Sequence, residues 1–333
     1  MRLARSCSPA ALAQRGYVLV ATLAVLALMA LVAGRLAGRL DALREQSLTL
    51  EALADGLLAA DNARARLLHR MTTEPITMLG LGAAPATRLP VDAAPIPLPG
   101  GVTATLQDHR GLLSVNVVDR ALLTRLMTAQ GVPTDRIDRL LDTLADYADT
   151  DDLRRLDGAE ENEYRAEGLL PPRNDWLDSA EELRQIIGWR DDPEALSRLI
   201  PLLSSRRNSW FNPNTAPREV LAARLPGASP QQLDAFISRR RAAPFRSPAE
   251  ATTATGFLFD DNDVFHPSDF YRLRLQPKGL PVALEYNVLL TPQSQIRPWQ
   301  IVDSRTVFVP VSTRDDGGAQ LQPGAGVARA GAN

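Results

Sequence analysis

An uncharged apolar run near the start of the chain constrains the fold more than any other feature. The run covers residues 17–33, follows three arginines with no acid among them, and passes directly into a charged, leucine-rich stretch. Because no proline occurs between residue 10 and Pro75, one helix over 16–71 is predicted. At about 1.5 Å per residue it would be roughly 80 Å long, far more than a bilayer requires. The sequence therefore predicts a helix that starts in a membrane and continues out of it.

The second part of this predicted helix is amphipathic. Leucines recur at steps of three and four residues, and charged residues occupy the other faces. The pattern predicts that one stripe of the helix packs against a globular body. The leucines of the stripe are Leu36, Leu40, Leu43, Leu50, Leu53, Leu57, Leu58, Leu67 and Leu68.

The basic leader and the apolar run allow three interpretations. A conventional signal peptide would be cleaved near Ala33 or Gly34, whereas a signal anchor would stay uncut. The third interpretation is cleavage between Gly16 and Tyr17, on the cytoplasmic side, which leaves the apolar run in the product. Arginines before the run favour translocation of the chain that follows it.

Charge and cysteine content exclude several kinds of partner and functional site. The net charge is −2, and the first fifteen residues hold Arg2, Arg5 and Arg15 without an acid, so the remainder carries about −5. This balance argues against nucleic acid as the main partner. The only cysteine is Cys7, which excludes a disulfide framework, a thiol-based metal site and a cysteine nucleophile in the body.

Strand-like segments lie on both sides of a helical region. Residues 102–106 and 112–118 predict a β-hairpin with His109 in its solvent-exposed turn. Since a lone hairpin is too small to be stable, we prefer one sheet interrupted by an inserted helical domain, with two unrelated small sheets as the alternative. Later strands are predicted at 270–275, 282–290 and 301–311, and helices at 121–129, 134–147, 183–187 and 193–203.

The densest polar cluster of the chain lies at 146–163, where eight acids fall within 18 residues. Carboxylates and the turn-forming Gly158 are what a hard cation such as Ca²⁺ needs. An EF-hand fit fails, because Leu153 and Arg154 stand where an oxygen ligand and the glycine belong. One alternative is a solvated acidic loop in which Arg154 and Arg155 pair with some of the acids. Another is acid–base catalysis by two carboxylates, although no nucleophile or base pocket accompanies them. A second acidic cluster at 260–263 is predicted to be a solvated turn.

The start of the chain resembles a known processing site. Arg15 and Gly16, followed by the aromatic Tyr17 and an unbroken apolar run, resemble the prepilin-peptidase site of type IV pilins and type II secretion pseudopilins. Most members of these families carry glutamate as the fifth residue of the mature chain, where it neutralises a neighbour's N-terminal amine in the membrane. Here that residue is Ala21, and in lacking the glutamate the chain resembles the K-type minor pseudopilin branch.

Further motifs stand in the order of the K-type family. Its aspartate-rich segment, its Gly-Ala-Glu and its Asn-x-Asn-Thr-Ala-Pro pattern are matched at 149–152, 158–160 and 212–217. The resemblance implies an α+β fold, with a pilin-like long helix on a small antiparallel sheet and a large inserted all-α domain. It also implies Ca²⁺ bound in the insertion. The matched ligand positions are Asp149, Asp151, Asp152, Glu160 and Glu161.

The resemblance also implies a role and a place in the cell. The chain is expected to act at the tip of a pseudopilus with I- and J-type minor pseudopilins and the major pseudopilin, helping to start assembly for protein secretion. Prepilin-peptidase cleavage, N-terminal methylation, an inner-membrane anchor and a periplasmic body are expected, and no catalytic residues. The expected parts are a leader at 1–16, a membrane segment at 17–34, helix and first strands at 35–118, the insertion at 119–265, returning strands at 266–312 and a disordered tail at 313–333.

A nucleic-acid-binding helix-hairpin-helix is the alternative function. Residues 214–245 resemble such a unit, with one hairpin glycine, Gly227, and with Arg239, Arg240 and Arg241 as extra charge. A membrane-anchored periplasmic DNA-binding protein would use these groups. The competing structural interpretation is a compact helical unit in which Asn214 caps a helix over 215–224.

Overall fold

This computed structural model describes the backbone of residues 13–309 and the side chains of 17–309. The chain divides into two compact units, Met1–Leu58 and Ala59–Asn333. Helix α1 (Ala13–Thr73) runs through 61 residues, as the proline-free stretch predicts. Its stretch Tyr17–Thr73 includes a window of mean hydropathy 2.5 with no buried residue, long and apolar enough to cross a membrane.

The leucine stripe of α1 packs over only part of its predicted length. Leu36, Leu40, Leu43 and Leu50 are exposed, so the prediction that these leucines are buried is wrong. Burial begins at Ala60. The residues of α1 that join the core are Ala60, Ala63, Leu67, Leu68 and Met71.

The main sheet has five antiparallel strands in the order β3-β4-β7-β8-β9. Strand β4 pairs along its whole length with β7, although residues 109–269 lie between them. The pilin-like α+β fold with a large inserted helical region is therefore confirmed. The strands are β1 (Ile76–Thr77), β2 (Gly80–Leu81), β3 (Ile96–Leu98), β4 (Val102–Asp108), β5 (Leu113–Ser114), β6 (Leu203–Ser204), β7 (Phe270–Pro277), β8 (Val282–Leu290) and β9 (Trp299–Phe308).

The predicted hairpin at 102–118 is wrong. Strand β4 has β3 and β7 as its partners, while β5 forms a short parallel pair with β6 inside the insertion. The reason is that the chain turns away from the sheet directly after Asp108, through a 3₁₀ turn at His109–Gly111. The insertion therefore begins earlier than the second predicted strand.

His109 is buried in this turn, and its predicted place at a solvated tip is wrong. Its Nδ1 lies 2.8 Å from Ser204 Oγ, its Nε2 lies 3.1 Å from Asn287 Oδ1, and its ring stacks on Phe270. Burial is the largest cause that lowers the pKa of His109 well below its usual value, and the charge of Arg272 adds to it.

The insertion has a core of its own, separate from the core under α1. Asp119 accepts from the Leu122 N–H and so caps the first inserted helix. The predicted capping box at Ser179 is present, but it opens a 3₁₀ helix, Ala180–Gln185. The α-helices are α2 (Arg120–Ala129), α3 (Thr134–Ala148), α4 (Glu161–Ala166), α5 (Pro193–Leu199), α6 (Arg218–Arg224), α7 (Pro230–Ala242) and α8 (Pro248–Thr255).

The polar side of the sheet lies against the insertion. Arg272 on β7 donates to the carbonyls of Pro201 and Leu203, at 2.7 and 2.8 Å. Glu285 on β8 is buried and pairs with Arg272 and with Arg305 on β9. These contacts join three neighbouring strands to the inserted region. The predicted tail at 313–333 lies outside the described residues.

Candidate functional site

The acidic segment connects the end of α3 to the start of α4. Asp149 follows the last turn of α3, and its N–H donates to Ala145 O at 3.0 Å. Residues 150–159 then form bends and turns without helix or strand. At the far end, Glu163 Oε2 accepts from the Glu160 N–H at 2.9 Å and so stabilises the first turn of α4. The loop is thus held at both ends by helices.

Arg155 clamps the first half of this loop. Its Nη1 lies 2.5 Å from Asp146 Oδ1 and 2.5 Å from Asp149 Oδ2, and its backbone N–H donates to the other oxygen of Asp146. Asp146 is fully buried. The hydrogen bonds to Asp149 and then Asp146 raise the pKa of Arg155, so the guanidinium stays charged. One cation of the chain therefore already neutralises part of the acidic cluster.

Glu160 is the least satisfied acid of the segment. It is 4% exposed, and neither carboxylate oxygen has a hydrogen-bond partner among the described residues. Burial raises the pKa of Glu160 to about 7, with further contributions from the carboxylates of Asp146, Asp149, Asp152 and Asp151. A buried carboxylate without a partner is costly, and a bound cation would remove that cost.

The other predicted ligands are engaged to different degrees. Asp151 is exposed and accepts from a backbone N–H of its own loop. Asp152 is exposed and accepts from Asn174 Nδ2 at 3.3 Å. Glu161 pairs with Arg165 at 2.6 Å on the surface of α4, which argues against its role as a ligand. The structure brings Glu160 toward the aspartates and leaves Glu161 outside.

Two residues of this region were not among the predicted ligands. Asp146 is the buried partner of Arg155, and Asn174 holds a left-handed backbone, φ 52°, with a buried Oδ1 that has no partner among the described residues. Asp149 Oδ1 is likewise unpartnered.

The donor set fits a hard cation, although the geometry is not that of a closed metal site. Within residues 17–309, no three His, Cys, Asp or Glu side chains are arranged as a metal-binding group. The unpartnered oxygens of Asp149, Glu160 and Asn174 are nevertheless carboxylate and amide oxygens, which Ca²⁺ prefers. The fit rests on these buried oxygens.

The second acidic cluster is only partly a solvated turn. Asp260 and Asp261 are exposed as predicted, but Asp263 is buried. Asp263 Oδ2 pairs with Arg224 at 2.7 Å and accepts from the Asp260 N–H at 2.8 Å. Burial raises the pKa of Asp263. The prediction fails at this residue because Arg224 of α6 reaches the turn and holds it.

A fully buried aspartate anchors the Asn-x-Asn-Thr-Ala-Pro pattern. Asp108, at the end of β4, accepts from Asn212 Nδ2 and Thr215 Oγ1 through Oδ2, at 3.1 and 2.9 Å. Its Oδ1 accepts from the N–H and hydroxyl of Ser268 and from the Arg110 N–H. One carboxylate thus joins the sheet, the insertion and the segment that returns to β7.

Asn214 does not cap a helix, and that prediction is wrong. Its Nδ2 donates to the carbonyls of Phe245 and Phe265, and its Oδ1 accepts from the Phe245 N–H. Helix α6 starts only at Arg218, with Pro217 before it. The amide is needed to satisfy buried backbone groups that the later helices bring to it.

The helix-hairpin-helix resemblance corresponds to α6, the turn at Gly227 (φ 86°) and α7. Its three arginines contact the protein itself. Arg240 is buried and donates to Pro213 O, Arg241 pairs with Asp92, and Arg239 lies 3.6 Å from Glu250. The charge on which the nucleic-acid alternative depended is therefore engaged inside the chain.

The predicted processing site lies in the first turns of α1. Gly16 is helical, while Tyr17 and Ala21 are helical and exposed. Thr22 Oγ1 donates to Leu19 O within the helix, so its hydroxyl is already satisfied. Cleavage between Gly16 and Tyr17 stays a prediction.

Comparison with known families supplies the identity of this fold. Two family models match the chain, over residues 104–206 and 211–261, and both describe protein K of the type II secretion system. The chain belongs to the protein K family of the type II secretion system. Its role is that of a minor pseudopilin in secretion, and the K family is one of structural components. The resemblance to K-type minor pseudopilins is confirmed.

A solved structure is similar to this K-family chain. One chain of the crystal structure of the GspK-GspI-GspJ complex from the enterotoxigenic Escherichia coli type 2 secretion system shares 19% identity with it. The similarity covers 79% of this chain and 98% of that chain, with a TM-score of 0.47. No curated protein matches by sequence.

Proposed function

We propose that this K-family chain occupies the tip of the pseudopilus, next to I- and J-type minor pseudopilins, and helps to start assembly on the major pseudopilin. The observation that carries the proposal is Ala21, inside an apolar run that has no carboxylate. A subunit inside the fibre needs an acid there to neutralise a neighbour's amine in the membrane. The first subunit has no subunit ahead of it and needs none. The insertion at 109–269 adds bulk that would obstruct a further subunit.

Substitution at position 21 tests this role. Ala21→Glu places an unpaired carboxylate in the membrane if no amine lies ahead of it, and we expect reduced secretion of folded protein. Ala21→Leu keeps the apolar character and serves as the matched control, with secretion at the wild-type level. Wild-type secretion by Ala21→Glu would count against the first position in the fibre.

We further propose processing by prepilin peptidase between Gly16 and Tyr17, followed by methylation of the new amine. The apolar run then stays in the inner membrane, and the body lies in the periplasm. The measurement is the intact mass of the protein from cells with and without the peptidase. A mature terminus other than Tyr17 would exclude this processing.

We propose that Ca²⁺ binds in the acidic segment, with Glu160, Asp149 and Asn174 as principal ligands and with Asp151 and Asp152 at the open side. Support comes from the buried, unpartnered oxygens of the first three residues. Chelation should lower the melting temperature of the protein, and the double substitution Asp151→Ala with Glu160→Ala should remove that response.

The matched control for the calcium test is Asp261→Ala, which removes an exposed acid of the second cluster. Its chelator response should equal that of the wild type. Titration calorimetry with Ca²⁺ measures the same site directly. A wild-type melting curve that is insensitive to chelation would leave the segment as a solvated acidic loop.

A further inference from the structure

A cavity of about 230 Å³ lies between the segment that precedes β3 and the inserted region. One wall is formed by residues 78–94, with Met78, Leu79 and Val91 as apolar lining. The other wall is formed by Asn214, Thr215 and the last turn of α7. Because a water molecule occupies about 30 Å³ in the liquid, this cavity has room for a small ligand.

The lining of this cavity is cationic. It includes three arginines, whereas Asp92 is its only carboxylate among the described residues. Asp92 is already paired, since its Oδ2 accepts from Arg241 Nε at 2.9 Å. No carboxylate of residues 17–309 lies within salt-bridge distance of the other two arginines, Arg88 and Arg240. Two positive charges at the cavity are therefore uncompensated.

Arg240 is the buried member of this group, with 4% of its surface exposed. Its Nη1 donates to Pro213 O at 2.6 Å, and neither its buried Nε nor its Nη2 has an acceptor among residues 17–309. Burial lowers the pKa of Arg240 to about 10, so the guanidinium stays charged at neutral pH. A buried charge whose one partner is a carbonyl is costly, and an anion in the cavity would offset that cost.

The two neighbouring arginines are held in place and keep free donors. Arg88 donates from Nε to Gly82 O at 3.1 Å and from Nη2 to Ala83 O at 3.0 Å. In the described residues its Nη1 has no acceptor, and neither do Nη1 and Nη2 of Arg241. Because carbonyls carry no net charge, the charge of Arg88 is not neutralised by them. Guanidinium groups fixed in this way are suited to the oxygens of phosphate and carboxylate groups.

We propose that this cavity binds a phosphomonoester group through Arg88, Arg240 and Arg241. Charge selects this ligand, because a carboxylate or a phosphodiester carries one negative charge, whereas a phosphomonoester carries about −1.5 to −2 at pH 7. Its oxygens accept from the free guanidinium nitrogens and join residues 78–94 to α7. The group belongs to a soluble phosphate ester or to a lipid headgroup, and the contact chemistry is the same. The site depends neither on the proposed calcium site nor on the place in the fibre.

Calorimetric titration of the full chain in detergent, with inorganic phosphate as the first probe, tests the site. Phosphate should bind with a dissociation constant of about 1 mM or lower and should raise the melting temperature. Acetate and chloride at equal ionic strength separate binding from charge screening and should give no binding heat. Phosphate that gives no binding heat, or only as much as acetate gives, would overturn the proposal.

Three substitutions assign the binding to this cavity. Arg88→Gln removes one cation and should weaken phosphate binding about tenfold. Asp92→Asn removes the carboxylate and should tighten binding at least about threefold. Arg139→Gln, at an exposed arginine of α3, is the matched control and should bind as the wild type does. Phosphate binding that Arg88→Gln and Asp92→Asn leave unchanged, or that both weaken alike, would show an adventitious ion only and overturn the site.

Two phosphomonoesters in the same titration distinguish the sources of the group. Glycerol phosphate stands for a soluble ester, and short-chain phosphatidic acid stands for a lipid headgroup. Equal affinity for both supports the proposal with a soluble ester as ligand, whereas tighter binding of the lipid supports it with a headgroup. Binding of neither ester, even if inorganic phosphate binds, would overturn the proposed ligand class.

Discussion

The carboxylate of Asp108 makes the sharpest test of how the insertion is held to the sheet. Asp108→Asn keeps the shape of the side chain but removes its charge and replaces one acceptor oxygen by an N–H₂ donor. Five donors converge on the wild-type carboxylate, from Arg110, Asn212, Thr215 and Ser268, the last of which donates twice. The amide can serve only some of them, and Asn212 Nδ2 then faces another donor or loses its partner.

The magnitude follows from the type of bond lost. A hydrogen bond to a charged group contributes about 1.5–3 kcal/mol, and one to a neutral group about half as much. Losing the Asn212 bond and weakening the others predicts a loss of about 3 kcal/mol in the free energy of unfolding. That is a large part of a typical total of roughly 5–15 kcal/mol. Asp108→Ala leaves all five donors unserved and should cost more.

Urea unfolding followed by tryptophan fluorescence measures this loss, with midpoint and slope determined for each variant. Asp261→Asn, at an exposed acid outside the core, is the matched control and should change the free energy of unfolding by at most about 0.5 kcal/mol. A loss below about 1 kcal/mol for Asp108→Asn would refute the argument that this carboxylate joins the insertion to the sheet.

Three further predictions concern pH and one glycine. Because the folded pKa of His109 lies below its unfolded value of 6.5, its contribution to stability is present above pH 6.5 and is lost as the pH falls. His109→Gln should remove this loss of stability, which is measured as the pH dependence of the melting temperature. Glu160 contributes a pH dependence of the opposite sign when no cation is bound. Its folded pKa of about 7 lies above the usual 4.5, so stability should fall as the pH rises between these two values. Glu160→Gln or added Ca²⁺ should abolish this fall in stability. Gly158→Ala brings a Cβ to 1.8 Å from Asp146 Oδ2 and should lower stability by about 2 kcal/mol or more in urea unfolding, whereas a loss under about 0.5 kcal/mol would contradict the packing described.

Local patterns predicted the elements well, because they depend on near neighbours in the chain. The proline-free stretch predicted α1, and alternation predicted β8 with the bounds Val282–Leu290 that the structure has. The failures occur where distant segments meet. His109 looked like a turn residue, and only the approach of Ser204 and Asn287 makes it a core residue.

The candidate cation site shows the same contrast between features that local patterns predict and features that depend on contacts in the folded chain. Carboxylate density identified the segment, and the family resemblance included Glu160 among the possible ligands. The sequence predicted that Arg155 could pair with some of the acids, but it did not identify Asp146 and Asp149 as the partners of Arg155, or Arg165 as the partner of Glu161. Side-chain direction in an irregular loop depends on contacts that no local pattern encodes.

The polar face of the sheet explains why an insertion of this size is compatible with a small fold. Alternation in β7 and β8 predicts one apolar and one polar face, and a polar face is normally solvated. Here Arg272 and Glu285 on that face are buried. They are tolerated because they pair with each other and because Arg272 donates to the carbonyls of Pro201 and Leu203, which the insertion brings over the sheet. The insertion thus meets the sheet through specific polar contacts and keeps an apolar core of its own. Strands β4 and β7 pair directly with each other, so the sheet is continuous across the point where the insertion leaves and returns. The pilin-like framework is therefore complete without the core of the insertion, and a few buried charges orient the insertion on the sheet.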